Sequence, residues 1–185
     1  MRNITLLIFI SFLFAGCAVT NFQIHQARGH DYGSERYYSP EIQIHNAGDI
    51  ADNLYLHLLF EEVGCNEYWM ICVHSSNSDS FHAKPALMFI LDSEIEEYQD
   101  SFISPVNLSV SFTSQPKKPD YYHVFMVSRN LFQDIIFAEE VRLLITCDGK
   151  VFEGILDEQN KDEFGLFYNY VRHEVIENKS IFLKS

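Results

Sequence analysis

Basic residues are scarce in this sequence of 185 residues. Lys and Arg number 13 against 26 Asp and Glu, which gives a formal net charge of −13. Proteins that bind nucleic acid neutralise phosphates with clustered Lys and Arg, and docking on anionic lipid headgroups also needs a basic patch. The charge balance therefore predicts no nucleic-acid partner and no attachment to membranes through a basic surface.

Recognisable catalytic and cofactor-binding motifs are also lacking. The sequence has no Gly-rich phosphate loop, no Gly-x-Ser-x-Gly turn and no Asp-rich calcium loop. The eight His are scattered, and none forms the pair four residues apart with an intervening Glu that marks a zinc protease. We therefore expect a protein that is not an enzyme, with no catalytic residues, no metal site and no cofactor.

One long apolar segment lies near the N-terminus. The residues from Ile4 to Ala15 are apolar apart from Thr5 and Ser11, and Arg2 precedes them. A helix of this length rises about 18 Å, whereas the hydrocarbon core of a bilayer is about 30 Å thick. The segment is therefore too short to span a membrane and is typical of the apolar part of a secretory signal peptide.

The apolar segment ends in Phe14-Ala15-Gly16-Cys17, which resembles the lipobox of bacterial lipoproteins. The resemblance implies that residues 1–16 are a signal peptide, that Cys17 receives a diacylglyceryl group and that the new amine is acylated, for example with palmitate. Ala18 follows the cysteine where the inner-membrane signal has Asp, which implies the periplasmic face of the outer membrane. The inner membrane and the cell surface are the alternatives. Cleavage leaves 12 basic and 26 acidic residues, a net charge of −14.

The mature chain divides into three parts. Residues 17–40 lack a sustained helical or strand period, which predicts a lipidated N-terminus and a flexible tether. Residues 41–176 are rich in apolar and aromatic residues, and we expect one globular domain there. Residues 177–185 are expected to form a loose tail.

Alternation of apolar and polar residues predicts most of the domain as β-strands. The strands are expected at 41–45, 54–60, 68–74, 86–91, 106–112, 121–127, 141–147 and 150–156. Asp148-Gly149 between the last two strands predicts a two-residue hairpin turn that pairs Cys147 with Lys150 and Val141 with Leu156. The acidic segment 93–100 is interpreted as a short helix or a loop.

Two helices are predicted in the C-terminal half. Ser128 is a candidate N-cap for a helix over 128–138, and Asp157 for a helix over 158–172. Few crossover helices separate the strands, so we expect an α+β fold. It comprises a mostly antiparallel, curved sheet of about 7–8 strands with both helices on one face. A β-sandwich with appended helices is the alternative.

The cysteines leave several pairings open. If Cys17 is lipidated, three thiols remain in an oxidising compartment. Cys65 with Cys72 is the first candidate disulfide, Cys72 with Cys147 is the second, and the third alternative is no bridge at all. Cys147 is expected to pack in the core.

Acidic residues concentrate at 61–62, 94–100, 139–140 and 157–163. These runs are typical of solvated surface, and they also fit an acidic face that attracts a basic protein. The candidate partner-binding acidic loop consists of Glu94, Glu96, Glu97 and Asp100.

Three functions follow as hypotheses. The first is a non-enzymatic, lipid-anchored cell-envelope protein that binds another protein or an envelope component. The second is an acidic immunity or inhibitor protein directed against a cationic toxin or an envelope-degrading enzyme. The third is a periplasmic hydrolase whose site residues are scattered along the chain.

Overall fold

A computed structural model describes residues 22–28, 35–47, 54–75, 86–92, 94–99, 123–147 and 149–178. These ranges contain ten strands and two α-helices, the second of which continues as π-helical turns. The strands are β1 His25–Arg28, β2 Glu35–Tyr38, β3 Ile42–Asn46, β4 Leu54–Val63, β5 Asn66–Ser75, β6 Ala86–Leu91, β7 Glu94–Gln99, β8 His123–Val127, β9 Val141–Cys147 and β10 Lys150–Leu156. The helices are α1 Arg129–Phe137 and α2 Glu158–Tyr170, with π-helical turns over Val171–Glu177.

All ten strands belong to one continuous antiparallel sheet that is organised around β4. One edge of β4 pairs along its whole length with β5, which in turn pairs with β8. The other edge pairs with β2 and with β3, and β2 pairs onward with β1. From β3 the sheet continues through β10, β9 and β6 to β7. The α+β prediction with a mostly antiparallel sheet is therefore confirmed, and the sheet has more strands than the seven or eight expected.

The main core lies between one face of the sheet and the two helices. Alternate residues of β4, including Leu58 and Phe60, are fully buried on this face because successive side chains of a strand point to opposite sides. Trp69 lies at the centre, with its ring centroid 4.9 Å from that of Phe60 and 5.0 Å from that of Phe132. The buried faces of α1 and α2 complete this aromatic core.

Both predicted helix caps are formed. The Ser128 hydroxyl accepts a hydrogen bond from the Leu131 N–H at 3.1 Å, and Asp157 and Asn160 form a reciprocal capping box. Lys161 on α2 is buried, and its ammonium donates to the carbonyl oxygens of Ala138 and Glu139 just beyond α1. These contacts fix the start of α2 against the end of α1.

The predicted hairpin of β9 and β10 is confirmed in both strand limits and register, and Asp148 itself lies outside the described residues. Lys150 pairs with Cys147 and Leu156 pairs with Val141. Gly149 has a φ of 74°, in the left-handed region that glycine adopts at little cost. The turn therefore depends on this glycine.

The tether prediction for residues 17–40 is wrong over part of its length. Strands β1 and β2 lie within this segment, and β2 pairs with β4 so that Arg36 and Tyr37 are buried. The pairing joins residues about 25 positions apart in the sequence, so no local period marks it. The predicted strand at 106–112 and most of the predicted tail lie outside the described residues.

The first candidate disulfide, Cys65 with Cys72, is also wrong for this fold. Cys65 lies in the turn between β4 and β5, and Cys72 is buried well along β5. Seven positions of extended chain span about 20 Å, whereas the two Cα atoms of a disulfide lie about 4–7 Å apart. The side chain of Cys147 lies outside the described residues, so the second pairing stays a prediction.

None of the described helices combines the length and hydropathy that crossing a bilayer requires.

Candidate functional site

A groove lies between the β6–β7 hairpin and the C-terminal half of α1. This groove, the Phe137 groove, has a volume of about 500 Å³. Its lining residues are Leu91, Asp92, Glu94, Glu96, Asp134, Phe137 and Ala138.

The hairpin that forms one wall of the groove depends on Asp92. This residue has a φ of 53°, a left-handed conformation that Asp tolerates better than most residues. Its carboxylate accepts a hydrogen bond from the Glu140 N–H at 2.8 Å, and its own N–H donates to the Glu140 carbonyl at 3.0 Å. The tight turn is thereby tied to the connection between α1 and β9.

The groove is strongly acidic. Four of its seven lining residues carry carboxylates, namely Asp92, Glu94, Glu96 and Asp134, and no basic residue is among them. Like charges gathered around a concave surface reinforce one another's field, because the protein wall has a low dielectric constant. The groove therefore presents a negative field, which favours positively charged groups.

Phe137 supplies an apolar surface in this acidic setting. The stripe of buried residues on α1, Leu131, Phe132 and Ile135, faces the core, and Phe137 falls outside that stripe at the last helical position. Its side chain is 81% exposed, the largest exposure among the large hydrophobic residues that the structure describes. A ring this exposed beside several carboxylates suits contact with a partner that is both basic and apolar.

A second groove, between α1 and α2, adjoins the first. The helix groove has a volume of about 670 Å³ and is lined by Ile136, Glu158, Gln159, Lys161, Asp162, Glu163, Gly165, Leu166 and Asn169. Leu166 is 47% exposed, and burial raises the pKa of the Glu163 carboxyl above its usual range. Ile136 and Phe137 are successive residues of α1, so the two grooves meet this helix at neighbouring positions.

The structure separates the residues of the predicted acidic loop. Residues 94–99 form strand β7 and not a short helix or a loop, so that prediction is wrong in conformation. Glu94 and Glu96 line the Phe137 groove, whereas Glu97 is not among its lining residues because adjacent strand residues point to opposite faces. Asp100 lies outside the described residues.

Three residues of the groove were not singled out from the sequence. Asp92 and Asp134 are single acidic residues outside the acidic runs, and Phe137 lies within the helix predicted over 128–138. The signal available for Phe137 was its position two residues beyond Ile135, off the apolar stripe of this helix. The sequence signal available for Asp92 was its position directly after the predicted apolar strand 86–91.

A separate cluster contains residues of metal-ligating type. Glu41, His57 and His74 each place one ligand atom within 4.8 Å of those of the other two. Glu41 is exposed and the two histidines are buried. This cluster lies on the face of the sheet opposite the main core, away from the Phe137 groove.

Neither family models, curated proteins nor solved structures match the chain. The chemistry of its own residues is therefore what bears on its function.

Proposed function

We propose that this chain is a non-enzymatic, lipid-anchored protein of the cell envelope that binds a basic protein partner through the Phe137 groove. The lipobox resemblance at Cys17 supports the anchor, and Ala18 after the cysteine supports the periplasmic face of the outer membrane. The observation that supports binding is the 81% exposure of Phe137 beside four carboxylates.

The two properties of the groove suit two stages of binding. The carboxylates speed the encounter with a basic surface, since electrostatic complementarity acts mainly on the association rate. The Phe137 ring suits the docked state, because buried aromatic anchors contribute a large share of interface energy. A partner with Arg or Lys flanking an apolar pocket complements both features.

The inhibitor hypothesis is a special case of this function. An acidic groove with one protruding ring fits the rim of a cationic enzyme or toxin as well as a structural envelope protein. The two cases differ in outcome, because stoichiometric loss of the partner's activity on binding occurs only for an inhibitor.

Site-specific photo-crosslinking in intact cells tests the binding site. A benzophenone amino acid at position 137 is expected to capture a partner. The same probe at Val151, an apolar residue of β10 that is also exposed, is the matched control. The proposal would be contradicted if the probe at position 137 captured nothing or if both positions captured the partner equally well. Capture of an acidic protein would also contradict it.

The anchor is tested separately. Cys17→Ser is expected to abolish incorporation of radiolabelled palmitate and to leave unprocessed precursor. Separation of the membranes of wild-type cells by density is expected to place the protein in the outer membrane fraction. Normal labelling of the Cys17→Ser variant would overturn the lipoprotein assignment without bearing on the groove.

A further inference from the structure

The cluster of Glu41, His57 and His74 arises from the register of three strands. In the β4–β5 pair Tyr55 lies opposite His74 and His57 lies opposite Cys72, so the two histidines are diagonal neighbours on the same face. Glu41 directly precedes β3, which pairs with the same part of β4. The three residues are 16 to 33 positions apart in the sequence, and the sheet brings their ligand atoms to within 4.8 Å of one another.

The hydrogen bond of His57 fixes which of its nitrogens carries the lone pair of the neutral ring. Its Nδ1 lies 3.2 Å from the carbonyl oxygen of Ser39. A carbonyl only accepts hydrogen bonds, so Nδ1 carries the hydrogen and the lone pair of the neutral ring lies on Nε2. Metal-binding histidines commonly donate their second N–H to a backbone carbonyl, which sets the tautomer and orients the ring.

His74 and Glu41 complete a set of two nitrogens and one oxygen. The His74 Nε2 lies 3.1 Å from a carboxylate oxygen of Glu41. The His74 ring stacks between neighbours, with its centroid 5.8 Å from that of His57 and 5.0 Å from that of Tyr55. This packing restricts both imidazoles, whereas the half-exposed Glu41 side chain is able to move toward an ion.

We propose that Glu41, His57 and His74 bind one divalent transition-metal ion, zinc in the first instance. Two imidazoles and a carboxylate are borderline donors that suit zinc better than calcium or magnesium. Zinc–ligand bonds of about 2.0–2.2 Å place two ligands of a tetrahedral ion about 3.4 Å apart, so small side-chain rotations bring the three atoms into range. Because Glu41 is exposed, water on that side would supply the fourth ligand.

A second histidine–carboxylate pair provides a matched control. The His45 Nε2 lies 3.1 Å from an Asp157 carboxylate oxygen, the same separation as in the His74–Glu41 pair. His45 is exposed and belongs to no three-residue cluster among the described residues. If the cluster binds a metal ion, substitution of His74 should reduce binding and substitution of His45 should not. If zinc binds merely to histidine–carboxylate pairs, the two substitutions should have similar effects.

Calorimetric titration of the full chain in detergent with ZnCl₂ tests the proposal, and the protein should carry no histidine tag. We expect one ion per chain. Glu41→Gln and His74→Gln should each weaken binding by about tenfold or more, and His45→Gln should leave it unchanged. Titration with Co²⁺ should give the visible absorption bands of tetrahedral nitrogen and oxygen coordination, and Glu41→Gln should weaken or shift them.

Three results would overturn the metal site. The first is the absence of saturable zinc binding by the wild-type protein. The second is binding that is equally strong in Glu41→Gln and in wild type. The third is binding that is lost equally in His45→Gln and His74→Gln. Circular dichroism checks the fold of each variant, and if His74→Gln does not fold, the exposed Glu41→Gln variant decides.

Discussion

Two charged regions of this protein use carboxylates in opposite ways. On the outer face of β2 and β4, Glu61 is buried and accepts hydrogen bonds from two nitrogens of Arg36, at 2.6 and 3.1 Å. In the Phe137 groove, four carboxylates gather at the surface with no basic residue among the lining side chains. The first arrangement neutralises charge inside the protein, and the second directs charge outward. The comparison indicates that Glu61 serves the fold, and the outward charge of the groove supports the proposal that it meets a partner.

The largest effect is expected from breaking the buried pair. Glu61→Ala leaves the Arg36 guanidinium buried without its carboxylate, which should lower the free energy of unfolding by about 3–5 kcal/mol. Urea denaturation measures the change. Removing the Glu140 side chain breaks its exposed ion pair with Arg142, in which the charged atoms lie 3.4 Å apart. This change should lower the free energy of unfolding by at most about 1 kcal/mol. Equal losses in the two variants would remove the distinction between the regions.

The stability of the protein should also depend on pH, because His57 is buried on the same face of the sheet as Glu61. Burial is the main cause that lowers the pKa of His57 from 6.5 to about 4, and the Ser39 carbonyl only partly opposes it. Between these values the unfolded chain binds the proton more readily than the folded protein, so stability falls as the pH falls from about 6.5 to about 4. The total loss should approach about 3 kcal/mol.

Unfolding curves recorded with a chelator present test this dependence in the metal-free protein. His57→Asn retains a donor for the Ser39 carbonyl and should remove most of the drop. His45→Asn should retain it, because His57 is intact. A wild-type protein whose stability is constant from pH 7 to pH 4 would contradict the assignment.

The pairing of β3 with β10 connects the part of the sheet around β4 to the part that carries the Phe137 groove. This junction depends on Gly154. The β3–β10 pairing joins the two parts of the sheet, and a Cβ atom at Gly154 would lie 2.5 Å from the Ile44 Cγ2. Ile44 is buried and has little room to move, so Gly154→Ala should destabilise the fold by about 1–3 kcal/mol.

Gly165 on α2 is the control for this substitution. A Cβ there would meet Ile136 at 3.9 Å, an ordinary contact, so Gly165→Ala should stabilise the protein by about 0.5–1 kcal/mol. Thermal unfolding distinguishes the two signs. A Gly154→Ala variant that is as stable as the wild type, or more stable, would show that the junction does not constrain position 154.

The smallest effect on stability is expected in the groove. Glu94→Gln and Asp134→Asn remove exposed charges from a like-charged group, so each should change the free energy of unfolding by about 0.5 kcal/mol or less. Chemical denaturation of both variants measures this. A loss as large as that of Glu61→Ala would mean that the groove acids belong to the fold.

Local signals made some parts of the structure predictable. The Asp148-Gly149 hairpin and the caps at Ser128 and Asp157 follow from residues within a few positions of each other, and all three are confirmed. Strand β7 was missed because its acidic residues have low β propensity, and its pairing with β6 overrides that preference.

The candidate sites depend on pairings that the sequence does not display. Glu94 and Glu96, two residues of the predicted acidic loop, line the Phe137 groove, but their separation from Glu97 follows from the strand geometry of β7. The approach of His57 and His74 requires the register of β4 with β5, which is set by the turn at Gly64-Cys65. A shift of one residue in that register would place the two histidines on different faces.

The association rate of the captured partner, measured at increasing salt, tests the central proposal most directly. The screening length falls from about 10 Å at 0.1 M to about 3 Å at 1 M, so association should slow steeply with salt while dissociation changes little. Reversing Glu94 and Glu96 to Lys should reproduce the effect of high salt. Reversing Glu62 and Glu174, an equal change in net charge outside the groove, should slow association much less. An association rate that ignores salt, or that responds equally to both double reversals, would contradict binding through the Phe137 groove.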